Sequence, residues 1–268
     1  MKLKLLGLFF ALVTAAHGAS VATGKAPFNA LQPDAQEVRA AQMTTEVLSR
    51  YHYKAVPVDE ALSSKIFDQY LKALDPEKLY FTQADIDQFA DARKKLGVEM
   101  QNGDIGRPYA IFNLYVKRAN ERFAYARGLL KGGFNFDRAE SYQFSRDKQD
   151  WAATEADALD LWRKRVKNDW LRLKLAGKDD KAIAQVLDKR YDNSLKRVAR
   201  LNNEDAFNVY MSAYTMAIEP HTNYMAPRVA EDFDISMKLS LMGIGAILTE
   251  VDDYTTIREL VAGSPASL

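Results

Sequence analysis

From Pro33 to about residue 218, apolar residues recur three and four positions apart, broken only by short polar or glycine–proline stretches. Such a pattern is buried by packing helix on helix, so it commits most of the chain to an α-helical domain. The first helix is expected from Pro33-Asp34, with Val38, Ala41, Leu48 and Tyr51 on one face. Pro57 separates it from a second, which starts near Asp59 and carries Leu62, Ile66, Tyr70 and Leu74. That helix stops at Asp75, because the ring of Pro76 disfavours helical geometry in the residue before it. Leu79-Tyr80-Phe81 reads as a buried connector, and Thr82 with Asp85 as a capping pair. Beyond Gly106-Arg107-Pro108 a long helix uses Ile111, Leu114, Tyr115, Phe123 and Leu130, closing at Lys131-Gly132-Gly133. Asp137 is expected to cap a short helix around Tyr142 and Phe144. Residues 154–176 form another helix, with Trp162, Val166 and Trp170 inward and Gly177 as a left-handed C′ residue. Two more follow, one from Asp179 or Asp180 to Val198, the other after Asn203 with Phe207, Tyr210 and Tyr214.

After Pro220 the pattern changes. Met237-Lys238-Leu239-Ser240-Leu241 alternates polar and apolar, as a half-buried strand does. A strand with Ile247, Leu248 and Val251 follows, then a turn at Asp252-Asp253 and a second strand over 254–261. Gly263-Ser264-Pro265 reads as a turn into a helix, with Ser264 as N-cap and Pro265 first. So few strands cannot bury a sheet face, so the β region is expected to be the start of a domain continued in a longer protein. Gly243 and Gly245 lie one residue apart in an apolar run. Glycines so placed let backbone amides converge on an anion, as in peptide C-terminus capture beside a strand edge. They equally suit a bulge in an ordinary sheet.

The N-terminus has the layout of a cleaved export signal: Lys2 and Lys4, an apolar core over 5–13, and small residues in Ala16-His17-Gly18 before Ala19. Its core is shorter than the roughly 20 residues a membrane span needs. Residues 19–32 read as a linker, and no later segment could span a bilayer. Basic and acidic residues nearly cancel, 37 against 36, which removes any bulk electrostatic case for nucleic acid. Arg163-Lys164-Arg165 and Lys167 flank Trp162, but Trp162 and Trp170 share the apolar face, leaving the cations as a solvated face. Without cysteine the chain has no disulfide, thiolate metal site or cysteine nucleophile. Of three histidines, His17 leaves with the signal, and His52 and His221 are far apart in sequence. His221 is read as a junction residue whose ring bonds a backbone carbonyl. No phosphate loop, dinucleotide fingerprint or serine elbow occurs.

Three segments together resemble the tail-specific protease family: Glu219-Pro220-His221-Thr222-Asn223-Tyr224-Met225-Ala226-Pro227-Arg228, Leu239-Ser240-Leu241-Met242-Gly243-Ile244-Gly245-Ala246 and Val261-Ala262-Gly263-Ser264-Pro265-Ala266. Leu74-Asp75-Pro76-Glu77-Lys78-Leu79-Tyr80-Phe81 resembles part of that family's N-terminal helical domain. The resemblance implies a mainly α fold: a signal peptide over 1–18, the linker over 19–32, a helical domain over 33–226 and an incomplete PDZ-like β domain over 227–268. It implies a periplasmic serine endopeptidase with a Ser–Lys dyad, no metal and no other cofactor. Its partners would be apolar C-terminal tails of cell-envelope proteins, with a lipoprotein adaptor on the helical domain. Leu241, Met242, Gly243, Ile244, Gly245 and Ala246 fall on the carboxylate loop and first PDZ strand. Amides around Gly243 and Gly245 would bind the substrate carboxylate, and Leu241 and Ile244 would line the apolar pocket. The dyad would lie beyond Leu268, so this polypeptide alone is expected not to cleave. Glu219 stands where the family usually has Asp. The alternative is a non-catalytic helical module that binds an adaptor or another partner.

Overall fold

The computed structural model describes residues 30–238, 243–251 and 254–267. The expected signal peptide, most of the linker, and Leu241 and Met242 lie outside these residues. Helices α1 (Ala35–Tyr51), α2 (Glu60–Leu74), α3 (Gln83–Asp87), α4 (Leu96–Gln101), α5 (Gly106–Leu129), α6 (Glu155–Leu175), α7 (Asp180–Ala199) and α8 (Asn203–Ile218) share one apolar core. The central packings are α2 on α8 and α5 on α7, with α1 against α4 and α6 against α5 and α7.

Caps start these helices where the sequence puts short oxygen-bearing side chains. Asp34 accepts from the amides of Gln36 and Glu37, Asp59 from Leu62, and Asp179 from Ala182. Thr82 with Asp85 and Thr154 with Asp157 form reciprocal capping boxes. The cap of α8 is Asn202, boxed with Asp205, one residue earlier than expected. Gly177 follows α6 at φ +83°, as a C′ glycine does.

Trp162, Val166 and Trp170 are buried, as their spacing predicts. The buried aromatic residues also keep their polar atoms satisfied. Tyr70 donates to Pro108 O (2.9 Å), Tyr210 to Leu96 O (2.8 Å), and Trp162 Nε1 to Leu79 O (2.6 Å). Burial pushes the Tyr70 and Tyr210 hydroxyls far above their usual pKa, so both remain donors.

Two expectations fail. No helix forms around Tyr142 and Phe144: the segment between α5 and α6 is a non-helical strap, with Phe144 exposed. Its local bonds go elsewhere. Asn135 Oδ1 takes the Asp137 amide, and Glu77 takes the Arg146 amide. Glu140 is drawn to Arg163 (2.5 Å) and Lys167 (2.6 Å) on α6, whose hydrogen bonds hold its pKa down at about 2. These cations are therefore a seam that fastens the strap rather than a solvated face, and Lys167 is largely buried in it.

The second failure is at Met237-Lys238, expected in a strand. They end a ninth helix, α9 (Pro227–Lys238), and Leu239 to Leu241 fall outside the described residues. Pro227 takes the first helical position, and Val229, Phe233 and Met237 repeat every four residues. That twelve-residue helical period outweighs a five-residue alternation. Among the described residues the β region is one antiparallel hairpin, β1 (Ala246–Val251) with β2 (Tyr254–Leu260), followed by a 3-10 turn at Pro265–Ser267.

Candidate functional site

Of the residues expected on a carboxylate loop, Gly243, Ile244, Gly245 and Ala246 lie within the described part, at the entry to β1. Gly245 has φ +79°, and a Cβ there would lie 1.9 Å from the Cβ of Ser264. Only glycine fits. The carbonyl of Gly245 accepts from Val261 N (2.8 Å) and Ser264 Oγ (3.2 Å), and that of Ile244 from Ala266 N (2.9 Å). In a planar trans peptide the N–H points opposite the C=O. The Gly245 and Ala246 amides therefore both point away from the Val261–Ala266 segment, toward the free side of β1. This is the arrangement a nest for an anion requires.

Pairing of Ala246 with Leu260 is flanked by the Val261 N to Gly245 O bond, so the backbone groups of Ala246 face outward along β1. The register shifts between Ile247 and Leu248, a bulge two residues past the glycine. Every residue of β2 is exposed, and so are Ile244, Ile247 and Leu248; the turn expected at Asp252-Asp253 lies outside the described residues. An apolar strand edge of this kind is a template for strand addition. The pocket wall assigned jointly to Leu241 and Ile244 is half described, with the Ile244 side chain open to solvent.

The structure builds a second polar constellation that sequence distance concealed. His52, past the end of α1, and His221, past α8, meet around Glu219, which is 7 % exposed. Glu219 accepts from Tyr53 Oη (2.8 Å), Thr222 Oγ1 (3.1 Å), and the backbone and ring nitrogens of His221 (2.5 and 3.1 Å). His52 Nε2 lies 2.8 Å from Thr222 Oγ1, and the Lys54 amide lies 3.1 Å from its Nδ1. His52 Nδ1 lies as close to Lys54 O (3.0 Å), so two tautomers fit the ring: Nδ1 accepts from the Lys54 amide and Nε2–H donates to Thr222, or Nδ1–H donates to Lys54 O and Nε2 accepts from Thr222.

In either tautomer the Thr222 hydroxyl is held between the His52 ring and the Glu219 carboxylate. The constellation is a clasp that ties the segment after α8 to the end of α1. His221 does not bond a backbone carbonyl as expected; its ring meets Glu219 and is otherwise exposed.

Burial pushes the Glu219 carboxyl up, but the hydrogen bonds from Tyr53, His221 and Thr222 outweigh it and hold its pKa at about 2. A depressed carboxylate contributes stability above its unfolded pKa of about 4.5 and loses it as pH falls toward 2. Thermal unfolding of native protein and Glu219→Gln is therefore expected to differ most at pH 7 and to converge below pH 4.5. A difference independent of pH would show that the clasp does not need the charge.

Among the described residues no group of three or more His, Asp or Glu is placed to hold a metal ion, and no helix is long and apolar enough to cross a membrane.

The comparisons with known proteins fall on this architecture. The family model for the tail-specific protease N-terminal domain matches residues 44–228, from within α1 to the start of α9, clasp included. The chain is also 37 % identical over 228 residues to the tail-specific protease of Haemophilus influenzae, an alignment covering 85 % of this chain and 33 % of that protein. It therefore spans about a third of the length of the curated relative it matches. A family match across the helical core, together with this identity over most of the chain, places the chain in the tail-specific protease family.

Proposed function

We propose that this chain supplies the N-terminal helical domain (33–226) and the first strands of a PDZ domain (227–268) of a periplasmic tail-specific serine endopeptidase. The enzyme reads the apolar C-terminal tail of a cell-envelope substrate and hydrolyses its peptide bonds. The observation that carries this reading is the loop at Gly245, where two amides and an exposed apolar strand edge face the same open side. A peptide C-terminus needs both: donors for its carboxylate, and an edge for its backbone. The helical body is the platform, and the clasp at Glu219 fixes where the chain leaves it. The Ser–Lys dyad belongs to the part of the enzyme after Leu268, so the 268-residue polypeptide alone does not cleave.

The test uses a reporter protein carrying an apolar tail, incubated with the full-length protease or with this polypeptide. Full-length enzyme is expected to degrade the reporter with the apolar tail at least ~10-fold faster than one ending in two aspartates, the factor that about 1.4 kcal/mol of differential binding gives. The polypeptide alone is expected to leave both intact. Equal degradation of both reporters would sink tail reading, and cleavage by the polypeptide would sink the assignment of the dyad.

A further inference from the structure

We propose that Ser264 is a positioning residue for the carboxylate loop. Its hydroxyl holds the Gly245 carbonyl down, and that keeps the Gly245 and Ala246 amides aimed at the substrate's terminal carboxylate. This inference rests on the tail-reading function above. Ser264 is partly buried and lies nineteen residues from Gly245 in sequence, yet its Oγ reaches Gly245 O at 3.2 Å. Its Cβ also occupies the place a Gly245 side chain would need.

Three hydrogen bonds clamp two successive peptide planes. Ala266 N holds the Ile244 carbonyl, which sets the Gly245 N–H; Val261 N and Ser264 Oγ hold the Gly245 carbonyl, which sets the Ala246 N–H. Two of the three donors are backbone groups that almost any sequence supplies. The Ser264 hydroxyl is the side-chain contribution, and it comes from a turn that holds itself. Ser264 N donates to Val261 O (3.1 Å), and Ser264 O accepts from Ser267 N (3.0 Å) and Ser267 Oγ (2.8 Å). The serine is therefore fixed on the hairpin's own return segment, and it acts on the carboxylate only through the peptide plane between Gly245 and Ala246. Loosening that plane lets the amides swing out of convergence without changing the strand edge that binds the rest of the tail.

The experiment compares native full-length protease with Ser264→Ala and Ser264→Thr on two peptide substrates, one ending in a free carboxylate and one in a carboxamide. For native enzyme the free acid is expected to give the lower KM. In Ser264→Ala the KM of the acid rises about 3- to 10-fold, the range one lost hydrogen bond spans. The KM of the amide and both kcat values stay within about twofold, so preference for the acid collapses. Ser264→Thr keeps the hydroxyl and retains the preference. An unchanged acid KM in Ser264→Ala, or an equal rise for acid and amide, would overturn the positioning role. If native enzyme shows no acid preference, the fault lies in the tail-reading function, because Ser264 has then nothing to position.

Discussion

Replacing Asp75 by alanine is expected to destabilise the helical body by about 3–5 kcal/mol, because four buried or half-buried donors lose their shared acceptor. The carboxylate is 1 % exposed. Its Oδ1 accepts from Leu79 N at 2.7 Å, and its Oδ2 accepts from Tyr80 N at 3.0 Å, Phe81 N at 3.1 Å and Trp151 Nε1 at 3.3 Å. Burial drives its pKa up against the pull of all four donors. The three amides belong to the turn that follows α2, where Lys78 takes a left-handed φ of +51°. Trp151 belongs to the strap between α5 and α6, so one side chain closes a local turn and anchors a segment 76 residues away. Alanine leaves all four donors facing a small apolar space. Asparagine with its oxygen in the Oδ2 place keeps three of the donors and turns its NH₂ toward the Leu79 amide alone, so Asp75→Asn is expected to lose about half as much. Urea unfolding measures both, read as a shift in midpoint at constant slope. A loss under about 1 kcal/mol for Asp75→Ala would show that the turn is held by packing of Leu79 and Phe81 alone.

Asp75 also shows what the sequence makes legible. The end of α2 follows from Pro76, a local steric rule that acts between neighbours. The reason for an aspartate there does not, because it depends on a tryptophan delivered by a later loop. The same division runs through the molecule. Caps at Asp34, Thr82, Thr154 and Asp179 are readable, since each side chain bonds an amide two or three residues on. The inward tryptophans of α6 are readable from period alone. The fastening of the strap by Glu140, and the clasp of His52 on Thr222 across 170 residues, are set by tertiary approach and leave no periodic trace. Family resemblance singles out Gly243 to Ala246, while the hydrogen bond from Ser264 to Gly245 emerges only when the hairpin closes. The helix α9 was missed for a different reason. Its apolar residues have no buried face to mark them, and a short alternating stretch at its end competes with its period.

Gly245→Val is expected to lower kcat/KM of the full-length protease on an apolar-tail substrate about 100-fold, equivalent to roughly 2.7 kcal/mol of lost binding in the transition state. Two costs combine. A β-branched residue at φ +79° is strained by about 1–2 kcal/mol. Its Cβ also meets Ser264 Cβ at 1.9 Å and Ser264 Cα at 3.4 Å, so the Val261–Ala266 segment must retreat. Retreat breaks the bonds that clamp the two peptide planes, and the amides of Gly245 and Ala246 lose their common direction. Gly243 offers the contrast within the same motif. Among the described residues a Cβ there meets nothing within 4 Å. Gly243→Ala is therefore expected to keep kcat/KM within about threefold, the range of small surface substitutions away from special backbone positions. The two glycines look equivalent in sequence, and the geometry separates them into one that is required and one that is tolerated. Circular dichroism of both variants should report the native helical content, since neither glycine lies in the helical core. Were Gly243→Ala to lose as much activity as Gly245→Val, the loop would be acting through open space in front of Gly243, and the clamp at Gly245 would not be what aims the carboxylate site.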